Sequence, residues 1–449
     1  MKRKKGSAFR RLWSAHDLRN RILITVGILV LYRLAAHVPV PGVDREAIAQ
    51  ILQSATGTGN LLSMFDMLSG GTVSNFSVLA MGVYPYITAQ IILQLLVPII
   101  PALKERMESD PREGKQFMER WTYYLAIPMA ALNAIGQIRL FQASGIEIMP
   151  HFGFSGDNLL PTISTLITMT AGTMFAIWLG ELISEYGLRN QGLSLIIFSG
   201  IVSRLPNSVG QLWSDQQTRY SGLSLFLILI AVSVFAIVVV SQGRRNVPVM
   251  YPGRRVGHRH SMPVKGKLPL LVNMAGMIPI IFASAILSFP AIIAQFLTPS
   301  QVKWVRELGT GMQNLFANQQ NWGYISIYFV MVVLFAFFYT DVMFQQQNYG
   351  ENLKRVGAQV PGVTKGAPTQ RYLNRVLRRI TLPGATLLGS VAVLPLMVGL
   401  MFVGVAAGRN AFFALGAGLL IVVGVVKETF FNLETELKVR GYDDALLVR

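Results

Sequence analysis

The chain has 449 residues, with 40 Lys and Arg against 22 Asp and Glu for a net charge of +18, and it is 52% hydrophobic but only 14% charged. Soluble proteins use about 25% charged residues and need them to cover their surface. Together with a mean hydropathy of +0.46, this excludes a soluble enzyme, a disordered chain and a fibrous protein, and points to an all-α polytopic membrane protein. No cysteine is present, which removes disulfides, thiol nucleophiles and cysteine-bound metal centres.

Residues 1–21 form a polar, basic tail that begins Met1-Lys2-Arg3-Lys4-Lys5 and does not read as a cleavable signal peptide. An apolar helix needs about 20 residues to cross the hydrocarbon. Ten segments qualify: 22–40, 78–97, 118–138, 161–183, 193–212, 222–242, 270–295, 324–343, 382–404 and 411–427. Alternate connections on the side of the N-terminal tail carry 32 of the 40 basic residues, the other side carries seven, and Arg33 lies within the first span. This asymmetry places both termini, the tail 1–21 and the tail 428–449, in the cytosol. Ten spans divide into an N-terminal half, 22–212, and a C-terminal half, 213–427. With five spans each, two related halves would insert upside down relative to one another.

Between the first two spans, residues 61–76 are apolar but interrupted. Leu61, Met64, Phe65 and Met67 flank Asp66, and Ser69-Gly70-Gly71 ends the run after about two turns. Such a segment is either a re-entrant half-helix, which needs protein or a water-filled cavity around it, or an amphipathic helix lying in the outer interface.

The spans are poor in ionisable residues. Besides Arg33, only Glu181 and Asp341 stand out, and both fall near span ends. A proton relay is therefore disfavoured, no catalytic dyad is visible, and no cofactor or metal is implied. The five histidines form no HExxH, and the stretch from Gly357 to Thr364 lacks the lysine of a phosphate-binding loop. The neutral polar residues carry more information. Val83, Ile87, Gln90 and Gln94 share one helical face, and the orders Asn190–Leu193–Ile197 and Asn273–Met277–Ile281 repeat the theme. Each sets an amide on the cytosolic side of an aliphatic centre. Amide glue between helices and a cavity that is wet on one side and dry at its waist are both open.

Two cytosolic loops are strongly basic. Residues 243–269 carry seven Lys and Arg and no acid, and residues 344–381 carry seven against Glu351. Anionic lipid, ribosomal RNA and an acidic protein face are the candidate targets. To this point a polypeptide channel and a secondary transporter for a small solute fit equally well, and a membrane-embedded enzyme fits less well.

The run Met64-Phe65-Asp66-Met67-Leu68-Ser69-Gly70-Gly71, continued by Gly82-Val83-Tyr84-Pro85-Tyr86-Ile87, resembles the plug and second helix of the SecY family of protein-conducting channels. Gly172-Thr-Met-Phe with Trp178-Leu-Gly-Glu181, Gly192-Leu-Ser-Leu-Ile-Ile-Phe198, Val272-Asn-Met-Ala-Gly276 and Val360-Pro-Gly362 are similar to its later helices and cytosolic loop. The resemblance implies an hourglass channel of two inverted five-helix halves, with no enzymatic activity. Its waist would be a ring of Val83, Ile87, Leu193, Ile197, Ile281 and Ile421. The segment 61–76 would be the plug, and Thr88, Gln94 and Asn273 would line a lateral gate between spans 78–97 and 270–295. Arg254, Arg255 and Lys365 would contact a ribosome or motor. One departure stands at the second loop, where Thr364 occupies the position that the family gives to an arginine; Lys365, a point charge and not a fork, follows it. The resemblance further implies SecE-like and SecG-like membrane subunits, a SecA motor ATPase, the translating ribosome and signal-bearing polypeptides as partners. It also implies a location in the bacterial plasma membrane.

Overall fold

The computed structural model describes residues 16–43, 76–97, 99–109, 111–142, 153, 158–189, 191–214, 219–252, 255–256, 259–260, 264–298, 300, 302–316, 318, 321–401 and 406–439. Helices dominate. They are α1 (His16–Ala35), α2 (Tyr84–Leu96), α3 (Pro101–Ser109), α4 (Pro111–Gln142), α5 (Leu159–Tyr186), α6 (Gly192–Ser214) and α7 (Arg219–Gln242), followed by α8 (Ile278–Leu297), α9 (Lys303–Phe316), α10 (Trp322–Gln346), α11 (Tyr349–Arg355), α12 (Ala367–Met401) and α13 (Ala406–Val439).

Every predicted span has a helix. Among the described residues, four stretches are long and apolar enough to cross a membrane alone: Leu159–Tyr186, Tyr220–Gln242, Trp322–Arg355 and Ala367–Leu400. α2 and the start of α3 reach that standard only as a pair, bent by 100°. Pro101 opens α3 and forces the break, because it cannot donate into a continuing helix. α12 is 35 residues long, about 52 Å at 1.5 Å per residue, so its basic first half extends well beyond the hydrocarbon.

The expected seventh span, 270–295, begins elsewhere. Residues up to Leu271 belong to a β-strand, and α8 starts only at Ile278. Gly276 has φ +64°, and the Asn273 side-chain amide donates to the Gly276 carbonyl at 3.0 Å. This closed turn, followed by Pro279 in the first helical turn, sets the start. Asn273, Met277 and Ile281 therefore do not form a helical stripe.

The loop 243–269 is not irregular either. β1 (Arg244–Tyr251) pairs antiparallel with β4 (Val264–Leu271), and β2 (Arg255–Val256) pairs with β3 (Arg259–His260). Alternation explains it: Val247 and Val249 on β1 and Leu270 on β4 are buried, while Asn246, Pro248, Pro269 and Leu271 beside them are exposed.

The membrane helices share one contiguous apolar cluster that includes residues of α1, α2, α4, α5, α6, α8, α10, α12 and α13. α1 lies against α5 and α6, α2 against α4 and α8, α10 against α8 and α12, and α13 against α6 and α12. Arg33 reaches out of α1 to the carbonyls of Ser199 (2.6 Å) and Gly200 (3.0 Å) and to the Ser203 hydroxyl on α6, so its charge is spread over acceptors. Arg21, at the start of α1, pairs with Glu436, near the end of α13, at 3.0 Å. The two ends of the described chain therefore meet on one face.

α5 and α6 cross backbone to backbone at Gly180 and Gly192. A Cβ on Gly192 would collide with the Gly180 carbonyl oxygen, and a Cβ on Gly180 would lie 2.8 Å from Leu193 Cδ2. Neither backbone can yield cheaply, so Gly192→Ala is expected to destabilise the protein by about 1–3 kcal/mol. Thermal unfolding in detergent should show this as a lowered midpoint; an unchanged midpoint would contradict the close crossing.

Candidate functional site

Val83 is the residue immediately before α2, and the Ile87 amide donates to its carbonyl at 3.2 Å, so the two stay in helical register although the helix proper begins at Tyr84. Val83 and Ile87 are buried, as are Ile197 on α6 and Ile421 on α13. Leu193 and Ile281 are half-buried and pack against the same cluster. All six ring candidates belong to the apolar core of the helix bundle, from α6 and the start of α2 in the first half and from α8 and α13 in the second. Aliphatic side chains offer no fixed hydrogen bonds, and a narrow apolar neck between two wet spaces resists water and ions.

The chain that leads into Val83 is tightly placed. Val40 N donates to Phe76 O at 3.0 Å and Val78 N to Val38 O at 2.9 Å, and Phe76 and Ser77 are fully buried. Gly172 on α5 lets the Val78 carbonyl approach to a distance that a Cβ would forbid. The candidate plug residues Leu61, Met64, Phe65, Asp66, Met67, Ser69, Gly70 and Gly71 lie outside the described residues, as does Asn190.

The candidate gate residues fall on or beside a real helix seam, since α2 packs against α8. The hydrogen bonds of Thr88 and Asn273 are local. Thr88 Oγ1 donates to Tyr84 O (3.2 Å) and Pro85 O (2.9 Å) on its own helix, and Asn273 caps its own turn. Gln94 Oε1 is buried without a hydrogen-bond partner. A residue that sequence reasoning missed crosses the seam instead: the Tyr84 hydroxyl donates to the Ala285 carbonyl of α8 at 3.0 Å.

The two basic loops form one folded unit. Met250 on β1 and Gln359 exchange backbone hydrogen bonds of 2.8 and 3.0 Å. Val247, Val249 and Leu270 from the first loop bury a common core with Phe344, Leu353, Ala358, Val360, Leu373, Val376 and Leu377 around the second. Arg378 on α12 pairs with Asp341 on α10 at 2.9 Å beside this unit. Lys365 is exposed between Gly362 (φ +79°) and Gly366 (φ +90°), and the Thr369 hydroxyl holds the Thr364 carbonyl at 2.8 Å. Arg255 lies in β2, opposite His260; Arg254 lies outside the described residues.

A family model described as SecY matches residues 77–430. The chain belongs to the SecY family. It is 38% identical over 448 residues to "Protein translocase subunit SecY" of Streptomyces griseus, covering 98% of this chain and 99% of that one. It is 35% identical to the subunit of the same name from Corynebacterium glutamicum, over 96% and 97% of the two chains. Its fold matches a solved structure described as a protein conducting channel, with a TM-score of 0.62 at 17% identity, over 96% of this chain and 95% of that one. A second solved structure, whose description concerns the plug domain of the SecY protein and the closed state of the translocation channel, matches with the same TM-score and identity. The SecY fold expected from the motifs is therefore present, in a multi-pass membrane protein.

The shared loop core carries a prediction of its own. Val249 is 1% exposed, and a carboxylate there has no water to solvate it. Val249→Asp is expected to open both basic loops to protease together, with rates rising at least tenfold, while the membrane helices stay protected. Digestion confined to one loop would contradict a single unit.

Proposed function

We propose that the chain is the channel subunit of a protein translocase. It passes unfolded secretory polypeptides across the bacterial plasma membrane and releases transmembrane segments sideways into the lipid. The observation that carries this reading is the near full-length similarity to a protein translocase subunit, 38% identity over 98% of the chain; the six aliphatic ring candidates all belong to the apolar core that both halves share, which is in keeping with it. Membership of the SecY family supports it, and no observation favours a small-solute transporter.

In this reading the ten helices that cover the predicted spans all cross the bilayer, in halves 22–212 and 213–427. The pairing of Arg21 with Glu436 supports placing both termini on one side of the membrane, and the basic residues of the connections on that side make it the cytosolic one. The waist seals when idle because branched side chains fill it. When a chain enters, the same side chains yield without binding, so peptides of any sequence slide. Residues 61–76 act as a plug on the outer side. An apolar signal segment leaves the pore where α2 and α8 part, with Thr88, Gln94 and Asn273 lining the gap. The chain catalyses no covalent step; a motor ATPase of the SecA kind or the translating ribosome supplies the work, docking on the basic unit through Arg254, Arg255 and Lys365. SecE-like and SecG-like subunits and anionic lipids complete the assembly.

The seal is tested by replacing Ile87 and Ile197 with Ser in the full complex, reconstituted in lipid vesicles. Resting ion conductance is expected to rise severalfold while a secretory chain is still transported. A resting conductance equal to that of the unsubstituted complex would contradict an aliphatic seal, and absence of transport by the unsubstituted complex would contradict the function.

A further inference from the structure

Tyr84 is the first residue of α2, directly after the ring candidate Val83. Its hydroxyl donates to the carbonyl of Ala285 on α8 at 3.0 Å, with the Ser288 side chain as a second hydrogen-bonding neighbour. Tyr84 is 5% exposed, Ala285 1% and Ser288 0%, so no water competes at the seam. On its other side α8 is held by α10: Ser284 Oγ lies 3.3 Å from the Tyr328 hydroxyl, and Tyr328 stacks on Tyr324.

The two links differ in what they join. α8 and α10 belong to the same half of the chain, whereas α2 belongs to the other. If the halves part, the Tyr84–Ala285 bond must break, while the Ser284–Tyr328 contact can persist. Breaking it costs little beyond the one bond. α8 is a continuous helix, so the Ala285 carbonyl serves the helix ladder with one lone pair and accepts from Tyr84 with the other. Tyr84 follows the ring candidate Val83 directly, so in the channel reading water in an opened pore would be at hand to replace the bond. A carbonyl acceptor also leaves no charge behind that would oppose passage of an apolar segment.

We propose that Tyr84 is the latch of the seam, and that its hydroxyl sets how readily α2 and α8 separate when an apolar segment arrives. This rests on the channel reading above and assigns to Tyr84 a positioning role which the local hydrogen bonds of Thr88 and Asn273 do not supply.

The chain lacks cysteine, so spin labels can be placed singly at Ile92→Cys on α2 and Phe289→Cys on α8, both exposed, and the distance between them read in lipid bilayers. Loss of one interhelical hydrogen bond within a membrane corresponds to about a three- to twentyfold change in an equilibrium. Tyr84→Phe, which keeps the ring, is expected to raise the separated population by that factor. It should also raise transport of a secretory chain whose signal has a shortened apolar core. Tyr84→Met, similar in reach and without a donor, should do the same. Tyr328→Phe removes an equally buried hydroxyl and is expected to leave both readouts unchanged. Wild-type distances in both Tyr84 variants would overturn the latch, and so would equal widening in Tyr328→Phe. The distances do not depend on transport, so a failure of the channel reading shows separately, as absence of transport by the unsubstituted complex.

Discussion

Helices surrounded by hydrocarbon gain nothing from hiding apolar surface from one another, because the lipid is equally apolar. What holds α2 to α8 is close shape and a buried hydrogen bond, and both are reversible at modest cost. This weakness sets the design of the molecule. A pore welded by ion pairs at its waist would seal well but would leave desolvated charges whenever it opened. Aliphatic side chains seal by filling space and leave no unsatisfied group when they move aside. The charged contacts lie elsewhere: Arg21 with Glu436 and Arg378 with Asp341 stand away from the seam, and Arg33 ties α1 to α6 within one half.

The basic unit formed by the two loops is built differently. It has a water-facing basic surface, a core of its own and strand pairing, so it folds by the ordinary hydrophobic effect. Its last strand, β4, ends at Leu271, with six residues between it and the start of α8 at Ile278. The joint is tight: Val272 N donates to Gly243 O at 2.8 Å, and Gly384 on α12 lies against the Val272 backbone. A partner that grips the basic unit therefore grips a body joined directly to one side of the α2–α8 seam.

Much of this was legible in the sequence, and the rest failed for definite reasons. Hydropathy located a helix for every span, and the positive-inside pattern agrees with the meeting of the two chain ends. The aliphatics that the motif resemblance named lie in the apolar core of the bundle. The strands were hidden by Arg244 and Arg245 at the start of β1, by Lys265 and Lys267 on β4 and by Pro248 and Pro269 within them; a period-two reading of Arg244–Tyr251 could have found them. The start of α8 was misplaced because apolar residues run from Leu270 into the helix with only Asn273 and Gly276 between them, and the turn rests on Gly276 and an Asn273 bond that hydropathy does not see. Tyr84 was missed because an aromatic residue beside Pro85 reads as packing. Its role depends on which carbonyl its hydroxyl meets across 201 residues of chain, a fact of tertiary structure alone.

The central claim is that polypeptide passes through the aliphatic waist and not along the outside of the bundle. The direct measurement is photo-crosslinking of a secretory chain stalled in mid-transport, with the photoreactive side chain placed in turn at Ile87, at Ile281 and at Leu227, which faces outward on α7 at 57% exposure. The account predicts adducts from the first two positions and none from the third. Adducts from Leu227 with none from Ile87 and Ile281 would contradict it.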